Sequence, residues 1–572
     1  MYLFYTNFRL LTVMLCSLLL NIVFCTVSRA QITRYVSMTG TTAPAAATSW
    51  ATSTTDLQGA IDASQAGDQV WVASGVYKPT TTTNRDISFS MKAGVAIYGG
   101  FAGTETALSQ RPTVNPVSAT GRFSTPGSST LSGDLNGDDG PNFTNRNDNS
   151  YHVINNPASL SLTNTAILNG FVITGGNANN SSVGGAGIFG GGILNQRLNS
   201  PSLINCVLQN NQADNGGAIF NLDNASPGLI NCLLQNNQAS YGGAITNSVS
   251  STPRLTNCVV QNNTAVDDGR INGSGYGGAI YNSNNARPVL TNCVLQNNTA
   301  SSGGAIYSIN FNNLVLTNSV LWNNGGEKTI NNINNSSVTA SYSLFDNTVT
   351  GYSNGPGNIT TTTSPFIAAT SVALAACSPA INAGNPLSIT VTDGPYSETA
   401  LPATDLTGSA RITGTRIDMG AVEYQNPNGV PPQIVQQPVA SSVICAGTTV
   451  VISVSVTGSS PAYQWYKSGT ALTGIASATT ASLTLTKPSV TVTAAPSATL
   501  SCTNPSLTLT AQASATALGW NSGGSTGQTL PVSQTGVYSV TVTNANGCTA
   551  VSNSLTISRD NTSPTVSISA IS

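Results

Sequence analysis

The sequence predicts an all-β chain: a parallel β-helix followed by Ig-like β-sandwich modules. Three observations predict it. A near-identical unit recurs between Leu203 and Ser308 with a period of 26 residues, once lengthened to 35. Each unit is built of short β-prone runs separated by Gly and Asn, with no ten-residue amphipathic stretch for a helix. Beyond Pro431-Pro432 the composition changes to Val/Thr/Ser alternation.

The repeats come first. LINCVLQNNQADNGGAIFN (203–221) is followed by LINCLLQNNQASYGGAITN (229–247). LTNCVVQNNTA (255–265) continues as GYGGAIYN (275–282), and LTNCVLQNNTASSGGAIYS spans 290–308. Cys206, Cys232, Cys258 and Cys293 are 26, 26 and 35 residues apart, so one nine-residue insertion accounts for the offset. A unit of this length suits one lap of a β-solenoid, stacked on the next at about 4.8 Å. Segment 85–365 would then give about eleven coils and a rod of about 50 Å. Alternate side chains of LINCVLQ point inward. The Asn pairs end that strand and can form an amide ladder along the axis. The Gly pairs supply positive φ at the turn.

These motifs resemble a known family. The NN-x-A…GGAI pattern resembles the repeat of chlamydial-type polymorphic outer-membrane proteins, with Leu208, Leu234, Val260 and Leu295 in place of its Phe. RYVSMTG, SWATSTTDLQGAIDASQAGDQVWVASGVYKPT (49–80), AIYGGFAGTE (96–105) and LNGFVITGGNA (168–178) resemble the start of secreted bacterial β-helix proteins. SPAINAGNP (378–386) and DLTGSARITGTRIDMGAVEY (405–424) resemble the end of that region in exported proteins with variable C-terminal anchors. The resemblance covers about 32–425. It implies a right-handed parallel β-helix of the pectin-lyase type at the cell surface or outside, and no defined reaction.

The resulting organisation is a signal peptide (1–30), an N-terminal capping region (31–84), the β-helix (85–369) and its C-terminal end (370–426). A partial Ig-like module (431–487), a fuller one (488–560) and the start of a truncated further module (561–572) follow. The signal rests on Arg9, the apolar run 10–27 and the small residues of Ser28-Arg29-Ala30. The helix-like 55–63 is assigned to the N-terminal cap and 370–424 to covering the C-terminal end, because exposed strand edges must be covered. Trp465 is the predicted core of the first module. Cys502 and Cys548 bracket the second, and export favours a disulfide between them.

Charged residues are only 7% of the chain and His152 is its one histidine. Removing 1–30 leaves a net charge of −4. Nothing there supports nucleic-acid binding, and no later stretch is apolar enough for membrane insertion. The cysteine column reads as an inward stack of small apolar thiols, ahead of axial disulfides or metal. Asp134, Asn136 and Asp138 in LSGDLNGDDG alternate as calcium ligands do, but the favoured reading is an Asp/Asn turn that satisfies its own backbone. Calcium is therefore the one cofactor in view. Asp267, Asp268 and Arg270 in VDDGRINGS are the catalytic candidates, on an insertion expected to share a flank with a second one at 179–190. Tyr241, Tyr276, Tyr281 and Tyr307 are candidate stacking residues. The favoured function is non-catalytic adhesion or glycan contact, with a polysaccharide or surface glycan as partner. A polysaccharide lyase or glycoside hydrolase on the same scaffold, or a structural spacer, are the alternatives.

Overall fold

The computed structural model describes residues 29–118, 128–180, 186–267, 274–391, 397 and 399–425, together with the strands of the C-terminal third between 433 and 558. The repeat folds as a parallel β-helix. One coil runs Ser202–Ile204, Val207–Gln209, Gln212–Ala213 and Ile219–Leu222, and each strand pairs in register with its copy in the next coil. Three long sheets result. The first has 11 strands, from Thr33–Val36 to Ser353–Asn354. The second has 10, from Gly75–Tyr77 to Ile359–Thr361, and the third 7, from Ile154–Asn156 to Ile330–Ile333. Four two-residue strands, Asn177–Ala178 through Thr264–Ala265, form a short fourth sheet.

Two expectations change. The sheet starts at Thr33, not near 85, because Thr33–Val36 pairs with Gln69–Ala73 before any repeat is legible. Segment 85–365 holds nine strands of the first sheet rather than eleven. Its early coils carry long excursions, between Phe101 and Ser129 and between Ser132 and Ile154, that use up chain without adding laps. The helix at Leu57–Ala63 lies where expected. Asp56 caps it by accepting the Gly59 N–H at 2.8 Å, and Leu57, Ala60 and Ile61 are buried in the solenoid core.

The interior is a set of columns. Leu203, Leu229, Leu255, Leu290 and Leu316 stack in the first sheet; Ile219, Ile245, Ile280, Ile306 and Ile330 stack in the third. The second Asn of each pair forms the amide ladder: Asn211 donates to Asn237 at 3.1 Å, Asn237 to Asn263 at 2.9 Å and Asn263 to Asn298 at 3.0 Å. A further ladder joins Asn195, Asn221, Asn247 and Asn282, at 2.9–3.0 Å per step. In each Gly pair the two residues differ in need. Gly242 sits at φ 65°, whereas a Cβ on Gly243 would stand 2.4 Å from the carbonyl oxygen of Gly278 in the next coil.

Segment 366–424 does not cap the rod's end. It lies along the outer flank of the second sheet. There Val207, Leu233, Val259, Val294, Val320 and Leu344 point outward and are buried beneath Phe366, Leu374, Ile381, Leu406, Met419 and Val422. Two of the Asn residues that precede a column Cys pin it: Asn257 donates to the Thr404 carbonyl at 3.1 Å and Asn292 to that of Asp418 at 3.0 Å. This explains why both residues of each Val-Leu or Leu-Leu pair are apolar. One faces the core and the other faces this strap.

In the C-terminal third the strands are mostly antiparallel. Pro461–Lys467 pairs with Gly536–Asn544, and Ser482–Thr486 pairs with Leu507–Thr510. Residues from 431–487 and 488–560 therefore share sheets, so the two-module division expected there does not hold. Trp465 is fully buried, its Nε1–H bonded to the Thr480 carbonyl at 3.1 Å. Cys502 and Cys548 lie outside the described residues. Among the described residues, no helix is long and apolar enough to cross a membrane.

Candidate functional site

The two insertions leave the rod at the same turn. Ala178 and Ala265 occupy one column of the short fourth sheet, and Phe189 and Tyr276 occupy one column beyond it. Asp267 is exposed and accepts a hydrogen bond from Ser274 Oγ at 2.9 Å. Asp268 and Arg270 lie outside the described residues, as do 181–185.

The tyrosines are packed against one another. Tyr276 stacks on Tyr307 at 4.5 Å, Tyr281 on Tyr307 at 5.6 Å, and Tyr241 meets Tyr281 at 5.1 Å in a tilted contact. Tyr307 is buried and the other three are half-buried. They cover the third sheet, and burial pushes the Tyr281 hydroxyl well above the usual range.

The four column cysteines are fully buried and free. Each thiol donates to nearby carbonyls, as Cys206 does to Ile204 at 3.3 Å, and burial pushes Cys206 and Cys258 well above the ordinary thiol value. Ser319 extends the column, its Oγ accepting the Cys293 N–H at 3.1 Å. His152 is likewise interior, its Nδ1 3.0 Å from the Gly190 carbonyl, and burial lowers its pKa.

The loop 133–149 is the best-formed exposed feature. It leaves the second sheet after Ser132 and returns at Ser150, whose carbonyl accepts the Asn177 N–H at 2.9 Å. Asp134 organises it: its carboxylate accepts the N–H groups of Gly137, Asp138 and Asp139 at 2.5–3.2 Å. That is the turn reading of LSGDLNGDD. Asn136 gives only its backbone N–H, to Asp148 at 2.9 Å. Asp148, which the spacing did not reveal, brings its carboxylate within 4.8 Å of those of Asp134 and Asp138. Arg146 locks the loop to the rod, donating to the Asn210 carbonyl at 2.7 Å and pairing with Asp139 at 3.2 Å. Asn149 reaches Asp139 at 3.1 Å. Burial raises the Asp139 carboxyl above its ordinary value. Arg146 opposes that shift, while Asp134 and Asp148 add to it.

Between this loop and the coils runs an open groove of about 800 Å³. One wall carries Asp134, Asp139, Phe143 and Arg146. The other carries Asn210, Asn236, Gln238, Asn262 and Thr264 from three successive coils. Phe143 is held at φ 60° with the Arg146 guanidinium 4.6 Å over its ring. The same left-handed backbone occurs at Phe311 and Tyr342, at other turns of the rod.

Comparison with known proteins agrees on the repeat. The Chlamydia polymorphic membrane protein (Chlamydia_PMP) repeat matches residues 257–283 and 292–309. No curated protein matches. Among solved structures, the crystal structure of pectate lyase Pel9A aligns at 12% identity and a TM-score of 0.38, covering 69% of this chain and 97% of that one. Residues 257–283 and 292–309 are thus similar to the Chlamydia polymorphic membrane protein repeat, and in this chain they lie in coils of a parallel β-helix.

Proposed function

We propose that this is a bacterial surface or secreted β-helix protein that contacts glycan without turnover, in an adhesive role. The observation that supports this most is the groove beside loop 133–149. It is open, polar and rigidly built, and its acids are committed to structure. Asp134 accepts three backbone N–H groups, and Asp139 is held by Arg146 and Asn149. The matching repeat of Chlamydia polymorphic membrane proteins is consistent with a place at the cell surface. The N-terminal apolar run and small-residue site support export by a cleaved signal.

A second reading has one observation in its favour. Asp139 is a carboxyl of raised pKa at a groove, the property of a general acid. A product assay over acidic and neutral glycans, with and without calcium, separates the two. The contact reading expects binding without products. Products that vanish with Asp139→Asn or Asp268→Ala would establish the enzymatic reading instead. Calcium, expected from the sequence at Asp134, Asn136 and Asp138, is proposed with Asp148 in place of Asn136 and is tested by titrating the ion against thermal stability.

A further inference from the structure

We infer that the groove takes an uncharged, extended polysaccharide lying along the rod axis, an assignment that rests on the glycan-contact reading. Three properties of the groove argue for that class of ligand.

The first is its repeat. Asn210, Asn236 and Asn262 present one exposed side chain per coil, at equivalent positions of consecutive coils. The coil step is about 4.8 Å. That is close to the length of one pyranose unit in an extended chain, so successive sugars meet equivalent groups.

The second is its chemistry. A primary amide both donates and accepts, as a sugar hydroxyl does. Among the described residues, no hydrogen bond engages the side-chain amides of Asn210, Asn236 or Asn262. The same column behaves differently outside the groove. There Asn323 donates to Asn297 at 2.8 Å, and Asn297 donates to the Ala369 carbonyl at 3.3 Å. The amides are thus without partners where the groove is, and engaged where the strap arrives. Phe143, at the opposite wall, adds an apolar ring face for the sugar ring.

The third is charge. The groove holds two carboxylates, Asp134 and Asp139, and one cation, Arg146. Arg146 is buried and already engaged by Asp139, the Asn210 carbonyl and the Phe143 ring. No cation is left in the groove to neutralise a polyuronate, and Asp134 would repel one.

The test uses the full chain and isothermal titration calorimetry with cellohexaose, chitohexaose and hexagalacturonate. The expected result is binding of a neutral hexamer and none of hexagalacturonate. The triple variant Asn210→Gly/Asn236→Gly/Asn262→Gly should bind about tenfold more weakly or worse, the loss expected for several hydroxyl hydrogen bonds. Gly suits the φ of 52–54° at these sites, so the variant should melt as the parent does. Phe143→Ala should weaken binding independently. Equal or tighter binding of hexagalacturonate would overturn the ligand class and leave glycan contact standing. Neutral binding unchanged in the triple variant and in Phe143→Ala would overturn the groove as the site. Silence across these hexamers and a broad glycan array would sink the glycan-contact reading itself.

Discussion

Two neighbouring asparagines show how a residue's surroundings set its worth. Asn236 sits at φ 54° on the surface, whereas Asn237 is 1% exposed. The Asn237 amide donates to Asn263, Leu208 and Gln235 and accepts from the Asn211 N–H at 3.0 Å. Asn237→Ala orphans several buried groups and should cost about 3 kcal/mol in denaturant unfolding. Asn236→Gly should cost no more than about 0.5 kcal/mol, because glycine accepts the same backbone. Similar losses for the two would contradict the ladder. Gly243→Ala should be as damaging as Asn237→Ala, since its Cβ meets the next coil's carbonyl oxygen at 2.4 Å. The column thiols should resist maleimide in the native state and react only on unfolding. At this scale much was legible. A pattern repeated every 26 residues places like atoms over like, so the Asn ladder, the Gly turn and the thiol column follow from the spacing. The sequence did not reveal which Asn of each pair turns inward. That depends on the left-handed backbone at Asn210, Asn236 and Asn262.

The strap 366–424 is the element that sequence reading misplaced. Its contacts join residues as far apart as Asn115 and Thr407, 292 positions, and they have no period to betray them. The outward valines were the available signal, since an exposed sheet face would carry polar residues there. The strap folds around a buried charge cluster. Arg411 is fully buried and donates to the Ala421 carbonyl at 3.0 Å. Burial, with the nearby Asp418 charge, pushes Glu423 from its ordinary 4.5 up to about 8, and burial raises Asp418 to about 6. The folded strap therefore holds protons that the unfolded chain releases. The cluster's contribution to stability is fully present below about 4.5 and is lost as pH rises towards about 8. Melting temperatures across that range should fall for the native chain and fall less for Glu423→Gln. A flat profile for the native chain would contradict the buried cluster. Loop 133–149 was half legible in the same way. Its Asp/Asn turn was predicted, but its partners Arg146 and Asp148 and the groove emerge only when the loop meets the coils. Calcium held by Asp134, Asp138 and Asp148 should raise the melting temperature at millimolar concentration, and an unchanged melting temperature would contradict that site.

Across the whole molecule, everything above depends on each copy making one lap. The tail departs from simple reading because its sheets draw strands from both sides of residue 487, a long-range pairing with no local signature. The rod can be measured directly. Ser202 and Thr339 lie in one outward column, five inter-coil steps apart through Gly228, Arg254, Val289 and Val315. Spin labels at Ser202→Cys and Thr339→Cys should report a backbone separation of about 24 Å by pulsed dipolar spectroscopy. Deleting residues 229–254 joins Gly228 to Leu255 in register, because Gly228 pairs with Arg254. The deleted chain should fold, and the separation should shorten by about 4.8 Å. A separation that does not change, or a chain that no longer folds, would contradict the stacked coil.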